Sequence, residues 1–135
     1  MNTWRSKPFP DPTARLNAND GRGQTRLAAI RYTKQVRAWR EAGRLCAFNG
    51  QRRPRIPSLA TVTVFFGTDR PNQRRDPMNW YPTVKALVDG LTDARFWPDD
   101  DASYVLIAQP VFTADIKPAH FVIQIEWAEP QETNP

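Results

Sequence analysis

The sequence is poor in the side chains on which several common chemistries depend. Among its 135 residues there is one cysteine, Cys46, and one histidine, His120. A single cysteine excludes a disulfide framework and a cysteine-based zinc site, so we expect a protein of a reducing compartment, the cytoplasm. A serine or cysteine nucleophile needs a basic partner, and His120 stands at the entrance of a predicted strand. Cys46, near a predicted helix end, is interpreted as a small core residue.

Long apolar runs and phosphate-binding glycine loops are also missing. No stretch approaches the roughly 18 apolar residues of a transmembrane helix, and no charged start leads into an apolar signal core. We therefore expect no membrane association. The six glycines form neither a Walker loop nor a dinucleotide fingerprint. Of the hydrolytic chemistries considered, carboxylate-held magnesium remains.

Cations are abundant and unevenly distributed. Of the 19 lysines and arginines 15 are arginine, whose fork fits phosphate oxygens. Residues 1–75 carry a net charge of +12, and residues 76–135 carry a net charge of −7. A basic half beside an acidic half suggests a polyanion-binding surface next to a metal site. The alternative, a genome-wide bias towards arginine codons, would not by itself segregate the charges.

The chain length and pattern predict a single α+β domain, a mixed β-sheet covered by two helices in the order β-α-β-α-β-β. The last residues, about 129–135, are polar and predicted to fray. The predicted strands are residues 3–9, Ala60–Thr68, Tyr104–Phe112 and Phe121–Trp127, and the predicted helices are Thr25–Cys46 and a segment of about 13 residues between Pro82 and Pro98.

Both helices are predicted from apolar stripes at three- and four-residue steps. Thr25 is a plausible N-cap for the first helix. Pro82 suits the first turn of the second helix, and Pro98 stops its continuation. The first stripe is Ala29, Tyr32, Val36 and Trp39, and the second is Val84, Leu87, Val88, Leu91 and Ala94.

The stretch Arg74–Asp101 concentrates the chemistry-bearing residues. Two arginines run into Asp76, Asn79 follows, the second helix carries Lys85, and Asp99–Asp101 close the unit. Oxygen ligands for a hard cation and positive charge for a polyanion are what a metal-dependent phosphoryl site needs. The acids flank a helix about 20 Å long. Asp76 and Asp100 can meet only if the flanking loops fold back over the same helix face.

This stretch resembles the core signature of the RusA-like Holliday junction resolvases, small endonucleases that cut four-way DNA junctions. A Pro-rich opening, Pro8-Phe9-Pro10, and the long helix after it also sit where that family, including its phage and actinobacterial members, has them. The matching residues are Arg74-Arg75-Asp76, Asn79, the run Lys85–Leu91 with Thr92, Phe96-Trp97 and Asp99-Asp100.

The resemblance implies an endonuclease domain over residues 1–135 that binds Mg²⁺, with Mn²⁺ as a substitute, and works as a homodimer on four-way junctions. It implies a bacterial or phage-infected host cytoplasm, and it assigns roles to individual residues. Asp76 matches the first metal-ligating aspartate, and Asp100 matches the catalytic aspartate, with Asp99 beside it as a ligand. Lys85 matches the essential lysine, and Asn79 matches an asparagine of the catalytic set.

The chain departs from the family at one important position. Met78 stands where the family has a second aspartate, and a thioether is a poor ligand for magnesium. Three extra residues also lie between Asn79 and Lys85. Three alternatives stay open. Asp76, Asp99, Asp100 and water molecules are enough to bind the metal, or another acid such as Asp101 also binds it. In the third alternative the protein is a catalytically weak or inactive DNA-binding protein.

Several arginines are predicted to contact the DNA backbone. Arg15 and Arg22 in the N-terminal loop are weaker candidates, since that loop is equally explained as an ordinary surface loop. For the helical cations the alternative is a solvated helix face. An RNA-binding module is a more distant alternative. The main predicted contacts are Arg74, Arg75, Arg37, Arg44, Arg52 and Arg53.

Two aromatic residues follow Asn79, and they have two interpretations. Trp80 and Tyr81 would stack on an unpaired base at a junction, or they would pack into the core beside the helix start. The second interpretation is favoured.

Overall fold

The computed structural model describes residues 1–18, 25–48, 52–98 and 104–128. Among these residues, no helix is both long enough and apolar enough to cross a lipid bilayer. The described elements are the strands β1 (Asn2–Arg5), β2 (Phe9–Pro10), β3 (Ala60–Gly67), β4 (Val105–Ile107), β5 (Val111–Thr113) and β6 (His120–Trp127), the helices α1 (Arg26–Cys46) and α2 (Tyr81–Asp93), and a 3₁₀ helix (Pro77–Trp80).

The strands form one mixed sheet in the order β1-β6-β3-β4, which confirms the predicted α+β class. The long strands β3 and β6 pair antiparallel at the centre, from Ala60 opposite Trp127 to Phe66 opposite Phe121. β1 and β2 pair antiparallel with the outer side of β6, while β4 and β5 pair parallel with the outer side of β3. Their β-branched and aromatic residues suit these pleated, half-buried positions.

Two predicted strands are each divided in the structure. The predicted strand Tyr104–Phe112 becomes β4 and β5, because Pro110 has no N–H to donate to the ladder. The N-terminal strand predicted over residues 3–9 is also divided, into β1 before Pro8 and β2 after it. Between them Ser6 remains tied to β6 through two hydrogen bonds of 2.9 Å with the backbone of Ile123.

The helices begin where the sequence predicted. The side chain of Thr25 accepts a hydrogen bond from the backbone N–H of Ala28 at 3.0 Å and caps α1. Pro82 lies in the first turn of α2. Every residue of the predicted α2 stripe is buried, whereas in the predicted α1 stripe only Trp39 is fully buried and Ala29 is exposed.

The two helices cross at very short range. A Cβ atom built on Gly43 would lie 2.3 Å from the carbonyl oxygen of Leu87, and one built on Gly90 would lie 2.0 Å from that of Arg40. Only glycine permits such an approach of two backbones. The crossing covers the core, in which Trp39 packs against Phe121 with ring centroids 5.4 Å apart.

Candidate functional site

A solvent-open cavity of about 400 Å³ lies where the N-terminal loop meets the segment leading into α2. It is near the Gly67 end of β3, since the ring of Phe112 stacks on that of Phe66 and Phe112 also meets Trp80 at 5.4 Å. Most of the lining residues are polar or charged. They are Arg15, Gln73, Arg74, Arg75, Asp76, Asn79, Trp80 and Phe112.

Asp76 is positioned by the start of the 3₁₀ helix. Its Oδ1 atom accepts a hydrogen bond from the backbone N–H of Met78 at 3.1 Å, and Pro77 follows as the first helical residue. This is an N-cap, the usual role of an aspartate before a helix. Asp76 is exposed, and its Oδ2 atom has no hydrogen bond within the described residues. One carboxylate oxygen therefore remains available to a ligand at the cavity.

Asn79 joins the cavity to the N-terminal loop. Its backbone carbonyl accepts a hydrogen bond from the N–H of Ala18 at 2.7 Å. One turn later, the buried hydroxyl of Thr83 donates to the carbonyl of Leu16 at 2.8 Å. These two bonds fix the loop that contains Arg15 against the 3₁₀ helix and the start of α2.

The two arginines before Asp76 differ in their environment. Arg75 donates hydrogen bonds to the Thr68 hydroxyl at 3.2 Å and the Arg70 carbonyl at 3.1 Å, and its guanidinium carbon lies 4.3 Å from the centre of the Phe112 ring. Arg75 therefore shapes the loop after β3. Arg74 is exposed and has no hydrogen-bond partner in the described part of the chain. It is the arginine of this pair with its donors open to a ligand.

Other residues predicted for the site lie elsewhere or outside the described residues. Lys85 is not among the residues that line the cavity, and its ammonium forms an ion pair with Asp89 at 2.6 Å. Asp99, Asp100 and Asp101 fall outside the described residues. Within the described ranges, no three His, Cys, Asp or Glu side chains are grouped closely enough to hold a metal ion.

Met78 lies on a different surface from the charged cavity. Its side chain is 68% exposed, and it lines a small apolar cavity of about 60 Å³ together with Tyr81, Val84 and Ile107. Met78 is not among the residues that line the charged cavity. This placement explains how a methionine is tolerated here without disturbing the charged residues.

The remaining predicted DNA contacts fall into partnered and unpartnered arginines. Arg44 pairs with Glu41, and hydrogen bonding with Arg44 lowers the pKa of the Glu41 carboxyl. Arg53 donates to the carbonyl of Ala94 at the end of α2 and lies over the ring of Phe48. Arg37 and Arg52 are exposed and unpartnered among the described residues.

Cys46 and Trp80 bear out the sequence interpretations. Cys46 is fully buried, and burial raises the pKa of its thiol to about 12, so it is not a nucleophile at neutral pH. Trp80 is half-buried and packs edge-on against Phe112, as expected of an aromatic residue beside a helix start.

One residue at the cavity gave little signal in the sequence. Arg15, an arginine in a polar loop, is part of the cavity wall because it reaches residues more than 50 positions away. Such long-range hydrogen bonds follow from the topology of the sheet and have no local sequence pattern.

Neither the protein-family models nor the curated proteins searched gave a match to this chain.

Proposed function

We propose that this protein is a magnesium-dependent endonuclease, and that its substrate is a four-way DNA junction, which it resolves by hydrolysing phosphodiester bonds during recombination and repair in the cytoplasm. The observation that carries the proposal is the cavity in which the open carboxylate oxygen of Asp76 stands beside Asn79, Arg15 and Arg74. An acid next to several guanidinium groups combines an oxygen ligand for a hard cation with donors for a phosphate.

The donors at the cavity fit magnesium in type. The described residues supply one carboxylate, Asp76, and two amides, Gln73 and Asn79, and magnesium is commonly held by one or two carboxylates with water at the other positions. Asp99 and Asp100 are proposed as the further ligands. When bound, the metal would lower the pKa of a coordinated water and neutralise charge that develops at the phosphorus.

The protein's own residues would orient the substrate. Arg74 would hold a phosphate oxygen, while Arg75 keeps the loop before Asp76 in place through its bonds to Thr68 and Arg70. Lys85 is proposed to stabilise charge in the transition state. In that role the Lys85 ammonium would leave Asp89, with which it pairs in this structure, and contact the substrate instead.

A homodimer is part of the proposal, and the sheet gives a reason for it. Asp76 follows the Gly67 end of β3, whereas Tyr104, the first described residue after Asp101, accepts a hydrogen bond from Ala60 at the other end. An eight-residue strand is about 23 Å long. A two-fold dimer can bring Asp76 of one chain towards Asp100 of the other, and it supplies the two sites that symmetric cutting needs.

The test is cleavage of a labelled four-way junction beside a linear duplex, with and without magnesium. We expect paired nicks on the junction only, dependent on magnesium and lost in Asp76→Asn and in Asp100→Asn. Asp115→Asn, which removes an exposed acid from the turn before β6, is the matched control and should cut normally. A wild-type protein that binds junctions but never cuts them would overturn the endonuclease proposal.

Mixing the two inactive variants tests the shared site. If each site takes Asp76 from one chain and Asp100 from the other, a mixed dimer contains one intact site, and nicking of one strand returns. If both residues come from the same chain, the mixture stays inactive. That result would contradict the shared arrangement while leaving the nuclease proposal intact.

A second candidate function is junction binding with little or no catalysis. It is favoured by Met78, which stands at the family's second aspartate and lines the apolar cavity instead of the charged one. The cleavage assay distinguishes the two. A junction binder forms a complex with the junction in magnesium without nicking it, whereas the endonuclease nicks the junction and loses this activity in Asp76→Asn.

A further inference from the structure

Arg15 is held in one orientation by the fold. Its Nε atom donates to Oδ2 of Asp11 at 2.8 Å, and its Nη2 atom donates to the carbonyls of Gly67 and His120, each at 3.1 Å. The guanidinium carbon also lies 4.7 Å from the centre of the Phe66 ring. The side chain is only 15% exposed, so its conformation is fixed before any ligand arrives.

These contacts use three of the five N–H groups of the guanidinium. Both N–H groups of Nη1 are left without a partner among the described residues. Among the described residues, Oδ1 of Asp11 is the one buried side-chain nitrogen or oxygen atom without a hydrogen-bond partner. Because Nη1 of Arg15 also has no partner and is not among these buried atoms, it is in contact with solvent. Because Arg15 lines the charged cavity, two donors on a rigid support are available there.

The charge of the cavity defines the ligand. Three arginines, Arg15, Arg74 and Arg75, stand against two carboxylates, Asp76 and the Asp11 that pairs with Arg15, so the cavity is net positive. Two N–H groups on one nitrogen suit the oxygens of a phosphate group, and a guanidinium that is already ordered loses little side-chain entropy on binding. A carbonyl or hydroxyl ligand would not balance this charge.

We propose that Nη1 of Arg15 binds a backbone phosphate of the DNA substrate in the cavity beside Asp76, with Asp11 acting as a positioning residue that holds the guanidinium through Nε. The identity of the phosphate as part of DNA rests on the proposed function, whereas the phosphate site itself does not. Arg15 thus belongs to the substrate-binding set and is more than a support for the loop.

The first experiment measures junction affinity in calcium-free EDTA buffer at several salt concentrations. We expect Arg15→Gln to weaken binding about 10- to 100-fold, as for the loss of a charged hydrogen bond. The slope of log affinity against log salt should fall by about one, the value for one phosphate contact. Arg15→Lys keeps the charge but not the fork and should recover only part of the affinity.

Arg95→Gln is the control, since it removes one exposed cation at the opposite end of α2 and should leave both quantities unchanged. All measurements are made at a temperature where near-UV circular dichroism shows each variant to be folded. If Arg15→Gln lowers only the melting temperature and keeps the wild-type affinity and slope, Arg15 is merely structural and the inference is wrong.

A second experiment needs no variant at Arg15. In the ¹⁵N-labelled wild-type protein, the Nε–H resonance of Arg15 is identified by its change in Asp11→Asn and followed during titration with inorganic phosphate. A saturable shift that sulfate reproduces and chloride does not supports the site. If the shift is present but no DNA binds, the phosphate site stands and the proposed function fails. If the resonance does not respond to phosphate, the inference fails even where the protein cuts junctions.

Discussion

The two segments of helix α1 differ in nearly every property that decides what a helix surface does. All of its buried residues, Trp39, Ala42, Gly43 and Cys46, lie in the C-terminal segment, residues 39–46. The N-terminal segment, residues 26–38, contains none. Its contact with the core is made by the half-buried side chains of Tyr32 and Val36, so this segment gains less stability from packing than the C-terminal segment does.

The cations of the two segments show the same division. In the C-terminal segment Arg40 pairs with Asp93 and Arg44 pairs with Glu41. The N-terminal segment has no acidic residue, and its four cations have no partners among the described residues; they are Arg26, Arg31, Lys34 and Arg37. A fold that needed these charges for its own stability would have paired them. The position of an arginine along this helix therefore separates structural charges from charges available to a polyanion.

The largest expected effect comes from the helix crossing in the C-terminal segment. Gly90→Ala places a methyl group against the backbone carbonyl of Arg40, which cannot move without displacing α1. We expect a loss of about 3 kcal/mol in the free energy of unfolding by urea, the upper range for overpacking. At an exposed helical glycine the same change would stabilise by about 1 kcal/mol.

Thr33→Ala in the N-terminal segment is the matched control. Its side chain is exposed and bonds only to its own helix, at the carbonyl of Ala29. The expected change is within about 0.5 kcal/mol. A stabilising Gly90→Ala would show that the two helices are farther apart than the structure has them.

The same contrast shows which features a sequence can predict. Local signals succeeded: the Thr25 cap, the apolar stripe of α2 and the alternating strands are each determined within a few residues. Arg74, Arg75, Asp76 and Asn79 all lie within residues 74–79, and this closeness in sequence brings them to one cavity. This part of the candidate site followed from the sequence for that reason.

Features set by distant contacts were not predictable in this way. Arg15 and Arg22 were equal candidates in the same loop, and only the topology brings Arg15 against Gly67 and His120. Arg40 and Asp93, which pair between the two helices, are 53 positions apart in the sequence, so no local pattern predicts their contact. Charge density indicated where cations are abundant, but only the fold showed which of them are partnered.

An intermediate effect is expected from the unpartnered cations of α1. We expect the triple substitution of Arg31, Lys34 and Arg37 by glutamine to weaken junction binding and to lower the salt slope by about three, one for each phosphate contact. Stability should stay within about 0.5 kcal/mol per substitution, since none of the three is partnered in the described structure.

The comparison variant is Arg40→Gln with Arg44→Gln, which removes cations already neutralised by Asp93 and Glu41. Its salt slope should change by less than that of the triple variant for each charge removed. Equal slopes per charge would mean that partnered and unpartnered arginines contribute alike, and that the two segments of α1 do not differ in binding.

The smallest effect is expected from the ion pair between Arg40 and Asp93. The two bonds, of 2.6 and 2.8 Å, join α1 to α2, and hydrogen bonding with Arg40 lowers the pKa of the Asp93 carboxyl. Both side chains are at least one-third exposed, so solvent screening limits the coupling to below about 1 kcal/mol. A double-mutant cycle with Arg40→Gln and Asp93→Asn measures it.

The sign of the pH dependence follows from the direction of the shift. A carboxyl whose pKa is lower in the folded than in the unfolded chain binds fewer protons when folded, so its contribution is fully present above the unfolded value of about 3.9. It is lost as the pH falls through the depressed folded value. The stability difference between wild type and Asp93→Asn should therefore be constant near pH 6–7 and shrink at acidic pH and in high salt. A difference that persists unchanged into acid would show that Asp93 stabilises the helix crossing by packing and not by charge.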